Sequence, residues 1–473
     1  MPEPGRRWDL VSGLAALAAV LLAFALSLSA GTLDTTALAL ITLVTLATLA
    51  AARLRLGKAA PSGRSTALIP LVLGLVLALA HDAAYLPGVG VDPSMLGAFR
   101  PTLGLLATLL ATHLWRSAPQ WFRRVRFAAV TLGGGALGAL VIRASPEPGI
   151  DVWQIQQAGA SALLTGLDPY RLAYVNVYGP GTPFFDPRLL SPDGRFLLAF
   201  PYAPLPLVLD APSAWLGDVR WTLLLAVVAA AVLIRQLGRG SLESDLAAAF
   251  LLLQPQAFFQ LEMAWTEPVV LALVLAAVLA VDRLSRPGPD RLGAWQGWVA
   301  PGLAAGLAVA SKQYVVALLI PLFAALDAKV RWRVMAVAAG GALAIALPFF
   351  LAGPAGFYRG VVEFQVLQPF RKDALSWPAQ IVALGGPTLP TWPAFVLAGA
   401  TWLLTIRRAM TSAQAVLSAA TFWLVFVILN KQAFTNYYWL AVGLLCAAVA
   451  LTTYGRVEPG HSDQRVFTSR HTK

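Results

Sequence analysis

The sequence predicts an all-α fold, a polytopic transmembrane helical bundle of about 14 spans with interfacial helices in a large first outer loop. Three observations predict it. Hydrophobic residues make up 58% of the 473 residues and charged residues only 12%, against about a quarter charged in a soluble domain, so there is too little polar surface to wrap a water-soluble body of this size. Apolar runs of bilayer length recur along the chain. The basic residues fall on alternate connections between those runs, as the positive-inside rule asks. The same composition excludes a disordered chain, a coiled coil whose register 33 Pro and 39 Gly would break, and a disulfide scaffold, because Cys446 is the single cysteine.

Taken in order, the apolar runs are 10–30, 33–52, 66–81, 99–115, 127–143, 219–236, 246–261, 268–281, 334–352, 391–406, 412–429 and 437–454. A further run of 30 residues from Trp298 to Asp327 is interrupted by Lys312. As one helix it would reach about 45 Å, against a hydrocarbon core of about 30 Å. It would also hold a lysine near the bilayer centre at a cost of about 2.5–3.5 kcal/mol. Two short helices meeting at Lys312 on the outer side remove both difficulties. On this reading residues 1–126 are an N-terminal four-span extension, residues 127–454 are the core with outer loops 144–218 and 353–390, and residues 455–473 are a disordered inner-side tail.

With the N-terminus inside, 24 of the 35 Lys and Arg residues lie on the inner side with nine acids, a net +15, and the outer side is −3. The formal charge of +12 is then a signal of orientation and of contact with anionic membrane lipids, and nucleic acid is not an expected partner. Arg6 and Arg7 precede an apolar run of 21 residues, longer than the roughly 7–15 of a cleaved signal peptide, so the run is expected to remain as the first span. Both termini are placed in the cytoplasm. The site is expected on the outer face of the cell membrane, where the long irregular loops are.

The first outer loop holds eleven Pro, seven Gly and four of the ten Tyr. From Asp151 to Thr165, Val152, Ile155, Gly159, Ala162 and Leu163 share one face and Gln154, Gln157 and Ser161 the other, which predicts an interfacial helix. Gly166 ends it and Pro169 prevents its resumption. Asp151 stands at its start, so its carboxylate is open to two readings, an N-cap or a catalytic group. Residues 196–216 are apolar but carry Pro201, Pro204, Pro206 and Pro212, which places them at the interface and not across the bilayer. Asp168, Asp186 and Asp193 stand before Pro, Pro and Gly, contexts that favour turns. Glu262 and Glu267 flank a short outer turn, open equally to a solvated or a site role.

Six residues are Lys, against 29 Arg, and three of them face outward: Lys312, Lys372 and Lys431. Lys312, in Ala310-Ser311-Lys312-Gln313-Tyr314, lies at membrane depth and needs a partner, which a phosphate would suit. With Arg371-Lys372-Asp373 and Asn430-Lys431-Gln432 it forms a candidate anion cluster. The histidines His81, His113, His461 and His471 are scattered, against a zinc site or a histidine-activated nucleophile. No Walker loop or GxGxxG follows a strand, against ATP or NAD. No cofactor is expected, and a metal ion is not expected either, since no second acid adjoins Asp151.

These outer-loop elements resemble the GT-C superfamily of integral membrane glycosyltransferases, in particular the bacterial polyprenyl-phosphate-mannose-dependent mannosyltransferases. The matching elements are Asp151 just after a span, the helix running into Gly166-Leu167-Asp168-Pro169-Tyr170, and Phe200-Pro201-Tyr202-Ala203-Pro204-Leu205. Trp265-Thr266-Glu267-Pro268, Ser311-Lys312-Gln313-Tyr314 and Asn430-Lys431-Gln432-Ala433-Phe434-Thr435-Asn436-Tyr437-Tyr438 complete the series within residues 127–454. The resemblance implies transfer of a sugar, mannose, from a polyprenyl-phosphate donor to a glycolipid or glycan acceptor of the cell envelope, with inversion. It implies Asp151 as general base, with Lys312, Lys431 and Arg371 or Lys372 at the donor phosphate. Trp153, Gln157, Tyr170, Tyr202, Glu262, Glu267 and Tyr438 are then candidate sugar or acceptor contacts. Two departures stand out: four spans precede the one that would come first, and Asp151 lacks the acidic neighbour of metal-using members. A transporter or flippase of a lipid-linked or anionic substrate is the competing class. It fits less well, because there is one interrupted region and no internal repeat.

Overall fold

The computed structural model describes residues 4–56, 65–80, 93–115, 118–285, 296–407 and 410–453. The tail from 455 onward lies outside these, as do His81, Lys58, Arg64, Arg116, Arg286, Arg291 and Arg408. In chain order the helices are α1 (Pro4–Ser29), α2 (Thr35–Arg53), α3 (Leu68–Ala80), α4 (Phe99–Ala111) and α5 (Gln120–Ala144), then α6 (Asp151–Leu164) and α7 (Pro204–Trp215) in the first long loop. There follow α8 (Arg220–Leu237), α9 (Leu242–Leu253), α10 (Pro255–Glu262), α11 (Glu267–Leu284), α12 (Gln296–Ser311), α13 (Val315–Ala324) and α14 (Ala328–Ala352). The second long loop carries α15 (Pro354–Tyr358), α16 (Phe364–Leu367) and α17 (Trp377–Ala383), and α18 (Trp392–Thr405), α19 (Ser412–Ile428) and α20 (Thr435–Thr453) close the chain.

Among the described residues six helices are long and apolar enough to cross a membrane, α1, α2, α5, α8, α14 and α20, or seven if the pair α10–α11, bent by 117°, is counted as one span. Six more apolar helices have only 10–17 residues. The polytopic helical bundle read from the sequence is thus built from a mixture of long and short apolar helices. The cause is visible at Gln254-Pro255: Pro255 opens α10, and a proline lacks the N–H that would continue α9. The break expected at Lys312 is present, since α12 ends at Ser311 and α13 starts at Val315.

The larger apolar core runs from Val11 in α1 to Leu451 in α20. Because α1 packs on both α2 and α20, residues 1–126 share the core of 127–454. Small residues set the closest approaches, as membrane helices require when packing and not water drives association. A Cβ on Gly306 of α12 would come 2.6 Å from the Ala338 carbonyl oxygen of α14.

The long loops fold together at one end of this bundle around a second core that includes Ile155, Tyr170, Tyr174, Phe200, Leu207 and Phe364. Helix α6 spans Asp151–Leu164, and Gly166 beyond it has φ +77°, the left-handed conformation that suits glycine. Asp168, Asp186 and Asp193 each accept the backbone N–H two residues on, at 3.0, 3.0 and 3.2 Å, the turn role expected of them. One feature departs from an all-helical loop: strands Tyr174–Val175 and Phe196–Leu197 pair antiparallel, with Tyr174 opposite Leu197. The loops clasp where the π-helical turn Arg359–Glu363 meets Phe200. A Cβ on Gly360 would stand 2.0 Å from the Phe200 carbonyl oxygen, and Gln365 donates to the Pro201 carbonyl at 2.9 Å.

Candidate functional site

The start of α6, the α12–α13 break, the second long loop and the start of α20 converge on a cavity of about 260 Å³ that Asp151, Tyr178, Tyr202, Lys312 and Arg371 help to line. Asp151 is the first residue of α6 and Ile150 occupies the N-cap position without a side-chain bond. The N-cap reading of Asp151 is therefore replaced by another arrangement: its Oδ1 accepts a hydrogen bond from the Tyr178 hydroxyl at 2.9 Å. Burial pushes the Asp151 carboxyl up from the ordinary carboxylate range, while the Tyr178 hydrogen bond, the Val152 amide and the Arg371 charge act in the opposite direction. Tyr178 is held by its own turn. Its amide donates to Asn176 at 3.2 Å, and the Asn176 side chain donates to the Gly179 and Gly194 carbonyls at 2.8 and 2.9 Å. Burial and the neighbouring Asp151 push the Tyr178 hydroxyl well up, so it stays a donor.

Lys312 is 9% exposed, and its Nζ donates to Glu267 Oε1 at 2.5 Å. Tyr314 donates to the same oxygen at 3.2 Å. The ammonium also lies 5.8, 5.5 and 5.8 Å from the ring centres of Tyr202, Tyr314 and Tyr437, within cation–π range. The partner that membrane depth demands of this lysine is thus a protein carboxylate. Glu262 and Glu267 are both buried, which removes the solvated-turn reading for the pair. Glu267 reaches the site through Lys312, and Glu262 lies outside the cavity.

Arg371 forks onto Asp373 at 2.8 and 2.6 Å and sits 4.3 and 4.7 Å from the ring centres of Phe184 and Phe434. Lys431 donates to the backbone carbonyls of Val366 and Gln368; among the described residues no carboxylate holds it, and burial lowers its pKa. It lines a second cavity, of about 540 Å³, which shares Gln313, Tyr314, Gln365, Gln368, Gln432 and Tyr437 with the first. That cavity continues along Phe395, Trp423, Phe426 and Val427. Lys372 is exposed and lines neither.

Four other sequence candidates lie outside both cavities. Trp153 donates to Asp218 at 3.3 Å and the Gln157 side chain accepts from the Val219 amide at 2.9 Å, so both tie α6 to the start of α8. Tyr170 donates to the Tyr202 carbonyl at 2.8 Å and Tyr438 to the Leu375 carbonyl at 2.6 Å; both are buried in the packing. Tyr437, one residue before Tyr438, faces the site instead, since neighbouring helix positions point about 100° apart.

Sequence reasoning missed Tyr178, Gln365 and Gln368. It quoted Gln313, Gln432, Asn436 and Tyr437 within their motifs without giving them a task. Three of these carboxamides have a fixed orientation. Gln313, Gln365 and Gln432 donate through Nε2 to the carbonyls of Val361, Pro201 and Pro369 at 2.9, 2.9 and 2.8 Å. A carbonyl only accepts, so in each case Oε1 is the end left for a ligand. Among the described residues no three His, Cys, Asp or Glu side chains gather where a metal ion could sit.

Fold and site together define a polytopic helical membrane protein with a two-part chamber, polar at Asp151 and apolar at Phe426. No family model matches the chain, and no curated protein matches it. Among solved structures it is similar to the crystal structure of ArnT from Cupriavidus metallidurans bound to undecaprenyl phosphate, at 14% sequence identity and a TM-score of 0.45. The similarity covers 69% of this chain and 59% of that one.

Proposed function

We propose that this chain is an integral membrane glycosyltransferase that moves a sugar from a polyprenyl phosphate to an acceptor hydroxyl on the outer face of the membrane. The observation that supports this reading most is the joined chamber. An acid and a set of hydrogen-bond acceptors line about 260 Å³, and aromatic and aliphatic walls line much of the adjoining 540 Å³. A lipid-linked sugar is divided in the same way, with a hydroxyl-rich head, a phosphate and an apolar tail.

In this reading Asp151 takes the proton from the acceptor hydroxyl as that oxygen attacks the anomeric carbon. The bond from that carbon to the phosphate oxygen breaks on the opposite face, and polyprenyl phosphate leaves with the electron pair. One displacement by one base inverts the centre. Tyr178 holds one carboxylate oxygen and orients the other. Lys431, whose charge no carboxylate offsets, and Arg371 stabilise the charge growing on the departing phosphate. Lys312, occupied by Glu267, shapes the wall between them. The free Oε1 atoms of Gln313, Gln365 and Gln432 suit hydroxyl donors, which favours an uncharged sugar such as mannose. The reaction as written needs no metal ion.

The test uses purified protein in detergent with polyprenyl-phosphate-mannose and a mixed glycolipid acceptor pool, comparing wild type with Asp151→Asn, with and without EDTA. Transfer by wild type that is lost in the variant and indifferent to chelator is the expected result. Transfer that survives Asp151→Asn removes Asp151 from the base role. Absence of transfer from every hexosyl and pentosyl donor tried overturns the enzyme reading.

A further inference from the structure

At the end of the bundle opposite Asp151, α5 and α9 begin and α8 and α11 end around a cavity of about 660 Å³. Helix α5, with its 25 residues, puts about 37 Å between the two ends, so this cavity is separate from the chamber at Asp151. Five arginines line it: Arg123 and Arg124 at the start of α5, Arg235 near the end of α8, Arg239 beyond it, and Arg283 in the last turn of α11. Behind them Arg126 is 3% exposed; it gives Nη1 to the Thr112 carbonyl at 3.0 Å and leaves its buried Nε without a partner.

The acids on these elements are fewer. Asp245 holds Arg235 at 2.8 Å, and Glu243 and Asp282 are buried. Arg283 donates to the Gln236 side chain at 3.4 Å. Arg123 and Arg124 form no ion pair among the described residues. Arginines that served only to mark one side of a membrane would gain from spreading apart. Converging on one concavity, Arg123, Arg124 and Arg283, which form no ion pair among the described residues, repel one another unless an anion lies between them. The surroundings say where that anion would come from. Trp121 and Trp115 are 65% and 51% exposed beside these arginines, each packed on Phe122 with ring centres 5.8 and 5.2 Å apart. Exposed tryptophans of this kind sit at headgroup level.

We propose that this cavity binds a group carrying two phosphates, gripped by Arg123, Arg124, Arg235 and Arg283. Guanidinium forks meet phosphate oxygens two at a time, and four of them match a diphosphate or a headgroup with two phosphodiesters better than a single charge. A membrane lipid and a soluble diphosphate share that chemistry.

The test places the full chain in nanodiscs of phosphatidylcholine and follows thermal unfolding as cardiolipin, phosphatidylglycerol at matched charge, or sodium pyrophosphate is added. Native mass spectrometry counts the lipids retained. Saturable stabilisation by cardiolipin with little from phosphatidylglycerol identifies a lipid headgroup, and saturable stabilisation by pyrophosphate identifies a soluble ligand. The paired variant R123Q/R124Q is expected to weaken the effect at least tenfold, and R123K/R124K to restore only part of it, because a lysine cannot fork. R283Q serves in the same way should R123Q/R124Q fail to fold. No saturable binding, or equal effects from cardiolipin and phosphatidylglycerol in wild type and variants alike, would overturn the proposal and leave a merely charged surface.

Discussion

Lys312 and Glu267 stand 45 residues apart in the chain and form an ion pair inside the bundle, with Nζ 2.5 Å from Oε1 and side-chain exposures of 11% and 0%. The pair explains how a lysine is tolerated between two apolar helices, and it fixes the wall on which Tyr202, Tyr314 and Tyr437 are arranged.

Breaking that pair from one side should be more harmful than removing it whole. Lys312→Ala leaves Glu267 buried with only the Tyr314 hydroxyl, and such a loss costs about 3–5 kcal/mol. The double replacement Lys312→Met with Glu267→Gln removes both charges and should lose much less. Thermal unfolding of the variants in one detergent decides it: equal losses would refute the coupling.

Asp151→Asn should lower kcat by about 10²–10⁴-fold, the range a positioned general base contributes, while the donor still binds. Donor titration alongside turnover separates the two effects, and a loss confined to KM would place Asp151 in binding.

Tyr178→Phe removes a hydrogen bond that favours the charged form of Asp151. The Asp151 pKa, already raised by burial, rises further. A general base works as the carboxylate, so the acidic limb of kcat/KM against pH should move to higher pH, with the largest loss of rate on the acidic side. An unmoved limb would show that Tyr178 does not act through Asp151.

Lys431→Ala should raise the KM for the lipid donor about tenfold or more, as about 1.5–3 kcal/mol for a charged hydrogen bond implies. Lys372→Ala, at an exposed position outside both cavities, should change little. Equal effects from the two would point to a diffuse field and not to a site.

Gly360→Ala puts a methyl group 2.0 Å from the Phe200 carbonyl oxygen, which backbone cannot accommodate without moving. The two long loops should separate, read as faster limited proteolysis within 166–200 and a loss of turnover. Gly399→Ala, with nothing within 4 Å, is the matched control.

The membrane fold was legible because its signals are local. Apolar runs mark helices, and a lysine inside one of them, Lys312, marks a break. The Asp151 helix was legible from its amphipathic face and from Gly166. The site was less so, because its pairings join distant segments. Tyr178 lies in coil with no periodicity, and only folding brings it to Asp151, 27 residues earlier. Asn430 to Tyr438 was quoted for its aromatics, yet sequence alone could not say which of Tyr437 and Tyr438 faces inward. Helix lengths were less legible than the fold for a related reason, since hydropathy does not show that Pro255 opens a new helix just after α9 ends at Leu253.

The lysine break also has a consequence for biogenesis. A nascent chain enters the membrane from its N-terminus, and at about 5–20 residues per second the interval of 45 residues delays Lys312 behind Glu267 by about 2–9 s. The acid is therefore already waiting in the membrane when the lysine leaves the ribosome. The hairpin of α12 and α13, which brings the ammonium, follows a chain segment that already carries its counter-charge. In the reverse order the ammonium would be inserted before its carboxylate partner.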